Sequence, residues 1–179
     1  MEYKVTPDSF PVELSQKIQL NKGQNVFCQG EIDRFLYFIE QGIAKAYYTT
    51  TDGKEYIKSF LAEGDVIGSL ASLVENRENS FSVTCLEDMV VYKIDFPSFM
   101  QKAGKDLDTA VMLNSGLIKL AMKKEKREYE FLCQSASERY LGLINSMPEI
   151  ISRVTQNDIA RYLGITPVAL SRIRTKLRK

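Results

Sequence analysis

From residue 21 to residue 95 the apolar positions come in short β-prone runs, NVFCQ, FLYFIE, IAKAYYTT, EYIKSFL, SFSVTC and MVVYKI. Glycines at positions 23, 30, 42, 53, 64 and 68 punctuate them. Short strands at this pitch, with Thr51-Asp52-Gly53 as a hairpin turn, predict an antiparallel β-roll or jelly roll lined by alternate residues of each strand. Ahead of it, Val12, Leu14 and Ile18 behind Pro7 and Pro11 predict a short packing helix. At Asp106 the period changes. Residues 108–131 hold no proline or strand signal, and Ala110, Leu113, Leu117 and Leu120 recur in steps of three and four. That spacing predicts a helix of roughly 25 residues with an apolar seam, longer than one small domain needs, and so a dimer helix. Lys124 and Arg127, in the charged run KKEKREYE, interrupt the seam. Gln134, Ser135, Ala136 and Ser137 read as a joint, followed by a helix carrying Glu138, Tyr140, Leu141, Leu143 and Ile144 that ends at Pro148.

The last 25 residues carry the sharpest pattern. In QNDIARYLGITPVALSRIR, beginning at Gln156, a small residue stands at Ala160, a glycine at Gly164, and apolar residues at Ile159, Leu163, Ile165, Leu170 and Ile173. Ala160 leaves room for a second helix to cross the first, and Gly164 permits the left-handed backbone of a tight helix-to-helix turn. Thr155 is placed to cap the first helix, and Thr166 with Pro167 forms the N-cap and N1 of the second. This is helix-turn-helix spacing. It turns Thr166, Pro167, Val168, Ser171, Arg172, Thr175 and Lys176 outward on the second helix, with Thr155 and Gln156 at the start of the first, as candidate DNA contacts. Arg172 suits a guanine edge, Thr166 and Ser171 suit phosphates or bases, and Val168 suits a thymine methyl.

Charge sharpens this reading. The net charge of the chain is only +1, yet residues 1–108 carry 11 basic and 17 acidic side chains, whereas residues 109–179 carry 13 and 6. Such an asymmetry is expected when one half meets a polyanion. Cys28, Cys85 and Cys133 stand far apart, so free thiols are expected, with Cys28 and Cys85 as small core residues in strands. Four thiolates for an iron–sulfur cluster are not there, and with no histidine in the chain a His-ligated haem or a cupin-type metal enzyme lacks its usual ligands. No cofactor and no metal are expected. No nucleophile–base pair or phosphate loop is legible, which argues against an enzyme. No run approaches the length of a membrane span, and no charged leader opens the chain, so a cytoplasmic protein with no membrane partner is expected.

A glycine-punctuated β-roll, a long helix and then a helix-turn-helix resemble the Crp/Fnr family of transcription regulators, those related to catabolite activator protein. GEIDRFLYFIEQG at residues 30–42, EGDVIGSLASL at residues 63–73 and the QNDIARYLGIT segment carry the likeness. The resemblance implies an α+β chain: a β-roll sensor domain over residues 1–107, a connecting and dimerisation helix over 108–133 and a DNA-binding domain over 134–179. It implies a homodimer on an inverted-repeat operator in double-stranded DNA, admits RNA polymerase as a further partner, and places a small-molecule effector pocket at Gly68, Ser69, Leu70, Ala71, Arg77, Asn79 and Ser80. There the sequence departs from the nucleotide-binding members. Ser69 stands where a glutamate holds the ribose hydroxyl, and Asn79 where an arginine pairs with the cyclic phosphate. Without a charge-assisted, bidentate partner for the phosphate, cyclic AMP is not the expected effector; another ligand, or none, is. In the recognition helix Pro167 and Val168 replace the family's Arg-Glu pair, and only Arg172 is matched, so different bases should be read. With Lys179 directly after that helix, the family's β-hairpin wing is expected to be missing. The alternative function is an effector-binding β-roll acting through protein contacts.

Overall fold

The structure, a computed structural model, describes residues 10–177. Eight strands form two four-stranded antiparallel sheets. β1 (Gln16–Leu20), β8 (Met89–Asp95), β3 (Phe35–Gln41) and β6 (Val66–Ile67) make one in that order, and β2 (Asn25–Phe27), β7 (Ser82–Cys85), β4 (Ala44–Thr49) and β5 (Glu55–Leu61) the other. Alternation along the strands builds the core between them: Tyr37 and Ile39 of β3 meet Ala44, Ala46 and Val83 of the opposite sheet. The β4–β5 hairpin turns at Thr51-Asp52-Gly53 with Gly53 at φ 77°, as its sequence predicts. Gly42 is needed for a second reason: at φ 101°, a Cβ there would lie 2.7 Å from the Asp88 carbonyl oxygen.

Two elements at the start of the chain differ from the sequence expectation. The packing helix shrinks to a 3₁₀ turn at Val12–Leu14, and Ile18 belongs to β1, paired with Val91 of β8. A strand's period of two and a helix's period of nearly four coincide over so few residues, and pairing with β8 decides for the strand. Pro7 lies outside the described residues. Cys28 follows the last residue of β2 rather than lying in a strand, whereas Cys85 is buried in β7, where desolvation pushes its thiol up to about 11. All three thiols are free.

Three helices serve the roll: α1 (Leu70–Glu75), α2 (Phe96–Ala103) and α3 (Leu107–Cys133). Asp106 caps α3 by accepting from the Thr109 amide at 3.0 Å. The first turns of α3 bury Met112 among Phe10, Phe38, Ile94 and Phe99 on the outer face of the first sheet, with Leu113 packed against them. The seam read from sequence is therefore divided. Leu113 packs on its own roll and Leu120 faces a cavity, while Leu107, Val111, Ile118, Met122, Tyr129 and Leu132 make an uncovered apolar stripe, with Leu117 beside it.

The chain ends in four helices, α4 (Ala136–Ser146), α5 (Pro148–Arg153), α6 (Gln156–Leu163) and α7 (Pro167–Leu177). Ser135 and Glu138 form a capping box on α4. Pro148 does not merely stop α4; it opens α5 at a position where its missing amide costs nothing. This unit packs on β5, because Ile57 and Phe60 share one buried cluster with Tyr140, Leu143, Ile159, Leu163 and Leu170. Phe60 stacks on Tyr162 of α6 with centroids 5.2 Å apart. Around that contact Arg161 meets Glu55 at 2.5 Å, and Lys45 lies 3.1 Å from Glu55 and 3.5 Å from Asp158. Arg153 clamps Glu63 through both terminal nitrogens, at 2.8 and 3.0 Å, and also pairs with Glu87.

Arg153, assisted by the Gly42 amide, holds the Glu63 carboxyl down to about 2, against an ordinary value of 4.5. A depressed folded-state pKa contributes stability that is complete above the unfolded value and disappears as pH falls through the folded one. Between pH 4.5 and 2 the melting temperature should therefore fall more steeply for the parent than for Glu63→Gln in scanning calorimetry. Equal slopes would show that the clamp does not couple the roll to the C-terminal unit.

Candidate nucleic-acid interface and effector cavity

The local chemistry of the helix-turn-helix follows its sequence. Thr155 caps α6, its Oγ1 accepting from the Asp158 amide at 3.1 Å, and Thr166 caps α7, its Oγ1 accepting from the Ala169 amide at 3.2 Å. Gly164 sits at φ 67° between them. Ile159, Ala160, Leu163 and Leu170 are buried and Ile165 and Ile173 pack beside them, so the apolar spacing serves to weld the two helices. All nine candidate DNA contacts are exposed: Thr155, Gln156, Thr166, Pro167, Val168, Ser171, Arg172, Thr175 and Lys176. Ser171, Arg172, Thr175 and Lys176 come together around a shallow hollow on α7. Arg174, which the sequence reading passed over, reaches back to Gln156 Oε1 at 2.5 Å and ties the outer helix to the start of α6. α7 carries Arg172, Arg174 and Lys176 and no acidic residue.

The effector residues expected from sequence are dispersed. A cavity of about 710 Å³ lies between β4, β5, the second half of α3 and α6, and of the seven candidates only Gly68 lines it. Ser69 and Asn79 are buried in the loop region beneath, and Leu70, Arg77 and Ser80 are exposed. Asn79 is knitted into the neighbouring turn: its amide donates to the Glu31 carbonyl at 2.7 Å, its carbonyl accepts from Gly30 at 2.9 Å, and Nδ2 donates to the Cys28 carbonyl at 3.3 Å. Its Oδ1 is buried with no hydrogen-bond partner. Arg77 turns to Glu75 at 3.0 Å, away from the cavity. The loop that would hold a phosphate thus has no inward cation.

The cations lie on the other wall. Lys58 of β5 rests with Nζ 3.5 Å from the centroid of Phe81 and 5.9 Å from that of Tyr48. Burial, with repulsion from Lys124 and Lys123, pushes its pKa down to about 8. Arg127 lies flat over Tyr162 at 3.7 Å and against Phe131 at 4.5 Å, and donates from Nη2 to the carbonyls of Tyr162 at 2.6 Å and Ile57 at 3.2 Å. Arg139 flanks the same Phe131 ring at 4.8 Å and donates to the carbonyls of Gln134 and Leu163 at 2.6 and 3.2 Å. In the sequence Arg127 belongs to the charged run that breaks the seam, and the apolar-to-charged switch at residue 123 does not say which charges turn inward; Lys58 and Arg139 lie outside that run and carry no such signal.

The chain thus joins a β-roll with a cavity at its seam to a long helix and a helix-turn-helix. Residues 17–106 match the family model of the cyclic nucleotide-binding domain. The chain is 30% identical over 177 residues to the fumarate and nitrate reduction regulatory protein of Salmonella typhi, and 29% identical to that of Yersinia pestis, in each case across 93% of this chain and 70% of the relative. The fold is similar to that of FixK2 from Bradyrhizobium japonicum, with a TM-score of 0.80, 20% identity and coverage of 92% of this chain and 84% of that one. The chain belongs to the Crp/Fnr family of transcription regulators. By that membership it is a DNA-binding regulator of transcription. Among the described residues no helix is long and apolar enough to cross a membrane.

Arg127 gives this site its test of stability. Removing the guanidinium leaves two carbonyls at the junction of β5, α3 and α6 without their charged donor and uncovers the Tyr162 face. Arg127→Met should cost about 2 to 4 kcal/mol in urea unfolding, the range expected when buried acceptors lose charge-assisted partners. A loss under about 0.5 kcal/mol, the size of an ordinary surface change, would remove Arg127 from the joint.

Proposed function

We propose that the chain binds double-stranded DNA as a twofold dimer, reading an inverted repeat with α7 in the major groove. The observation that carries this reading is the exposed face of α7, where Thr166, Val168, Ser171, Arg172, Thr175 and Lys176 stand clear of the core and Arg174 braces the helix from behind. Thr155 and Gln156 at the start of α6 reach a neighbouring phosphate. The uncovered stripe of α3, from Leu107 through Ile118 and Met122 to Leu132, supports pairing with a second copy. RNA polymerase is the further partner such a regulator recruits or blocks. The β-roll, residues 1–107, acts as the sensor, and residues 108–133 carry its state to residues 134–179.

Selection from randomised DNA tests the first part. The parent should select half-sites with centres about 34 Å apart in inverted order. Arg172→Ala should relax preference at one base pair per half-site by about 1 to 3 kcal/mol. Ile118→Glu, which places a charge in the stripe, should reduce the selected sequence to a single half-site. A parent that selects single half-sites would refute the dimer, and an Arg172→Ala profile identical to the parent's would make Arg172 a phosphate contact.

The sensor on this reading takes no cyclic nucleotide. Ser69 offers no carboxylate to a ribose, and Asn79, bonded to its own turn, offers no charge to a phosphate. Calorimetry with cyclic AMP at millimolar concentration should show no saturable heat, and the double change Ser69→Glu with Asn79→Arg should introduce some. Micromolar binding by the parent would overturn it.

A further inference from the structure

We infer that the cavity beneath α3 binds a small organic anion with a flat or extended apolar body, an aryl or long-chain acyl carboxylate. Lys58, Lys123 and Lys124 take the charge while the body lies on Phe81 and Tyr48. The inference deepens the reading that the sensor takes a ligand other than a cyclic nucleotide, and names the class.

The charges on the cavity wall are unbalanced. Seven basic side chains line it against two acidic ones, Glu128 and Glu130. Four of the seven are committed within the protein. Lys126 pairs with Glu130 at 3.7 Å and Arg161 with Glu55 at 2.5 Å, while Arg127 and Arg139 are held by backbone carbonyls. Lys58, Lys123 and Lys124 remain, with no carboxylate partner among the described residues, and Glu128, at the cavity's rim, is exposed and pairs with none of them. Lys58 is the informative one. Its ammonium sits partly desolvated over two rings, and the two α3 lysines raise the cost of its charge; Tyr48 is the titratable group facing it from β4. A cation–π contact offsets only part of that cost. An anion bridging the three amines would favour the protonated form of Lys58 and relieve the repulsion.

The rest of the wall calls for an apolar body. Leu61, Ile67 and Leu120 join the rings there, and the volume of about 710 Å³ falls within the range of small-molecule sites. A free inorganic anion would leave those surfaces wet. Polarity also runs opposite to that of a nucleotide in the cassette: the positive end is at β5 and α3, and the one cation of the Asn79 loop, Arg77, is turned to Glu75 and does not line the cavity. A bound carboxylate would draw β5 and α3 together, and β5 is the strand on which Phe60 supports α6.

Calorimetry and thermal shift on the full chain test this with 2-naphthoate as the aryl arm and dodecanoate as the acyl arm. The neutral amide of each and acetate serve as controls. One or both carboxylates should bind saturably and raise the melting temperature, the matching amide should bind at least tenfold more weakly, and acetate should not bind. Lys58→Gln should weaken the carboxylate at least tenfold while melting no lower than the parent without ligand, since the substitution removes a desolvated charge. Lys124→Gln, at an exposed position, supplies a second variant and should weaken binding by a smaller factor. Equal affinity for acid and amide, full affinity in Lys58→Gln, or no binding by either carboxylate would overturn the inference. Selection of an inverted repeat by the same sample would leave the DNA reading standing, so the two failures are separable.

Discussion

A single guanidinium holds the molecule together where its three parts meet. Arg127 leaves α3, crosses the face of Tyr162 and donates to one carbonyl on β5 and one at the end of α6. Phe131, one turn further along α3, is held between Arg127 and Arg139, and the turn of the helix-turn-helix closes on it, since a Cβ on Gly164 would come within 3.2 Å of that ring. Gly164 thus answers two constraints at once, the left-handed backbone of the turn and the close approach of an aromatic ring. Arginine suits the place because its planar, weakly hydrated head can stack and donate in several directions at once, which an ammonium cannot do.

Around that joint the β-roll and the C-terminal helices share one core. Ile57 and Phe60 on β5 are as deeply buried as Ile159 and Leu163 on α6, and all four belong to the same cluster. β5 therefore has two duties: through Ile57 and Phe60 it supports α6, and through Lys58 it faces the cavity under α3. Ile57 and Phe60 reach the same cluster although they stand three apart, because the pairing of β5 with β4 skips Lys58, and that bulged residue lines the cavity. A displacement of β5 toward α3 cannot occur without moving the support of α6, because packed interiors respond by shifting between arrangements and not by compressing.

The sequence made the reader legible almost residue by residue. Ala160, Gly164, Thr155, Thr166 and Pro167 each carry a local conformational demand that needs no tertiary partner, and six strands were marked by glycine and by β-branched or aromatic runs. What stayed hidden depended on distant neighbours. β6 has two residues and α1 six, too short for any period to register. The α3 seam was read as one stripe, but a long helix beside a sheet has two apolar faces, and spacing alone does not say which of Leu113, Ile118 and Leu120 looks at its own chain. Arg127 and Lys58 were invisible for the same reason, since an inward-turned charge and a solvated one look alike in sequence. The resemblance singles out Ser69 and Asn79, yet Asn79 is bonded into its own turn and Ser69 is buried ahead of α1, outside the cavity lining.

The way Arg127 and Arg139 are bonded also sets how the molecule responds to its ionic surroundings. Contacts to DNA phosphates weaken steeply as salt displaces them by mass action, and exposed pairs such as Arg153 with Glu63 are screened. A guanidinium that donates to backbone carbonyls and stacks on an aromatic ring depends less on ionic strength, because its partners are neutral dipoles. A rise in potassium or a shift in osmotic load would thus loosen the grip on the operator and soften the rim of the joint, yet leave its centre in register. Electrolyte then acts as a gain control on DNA contacts, while the packing of the β-roll against the helix-turn-helix keeps its register.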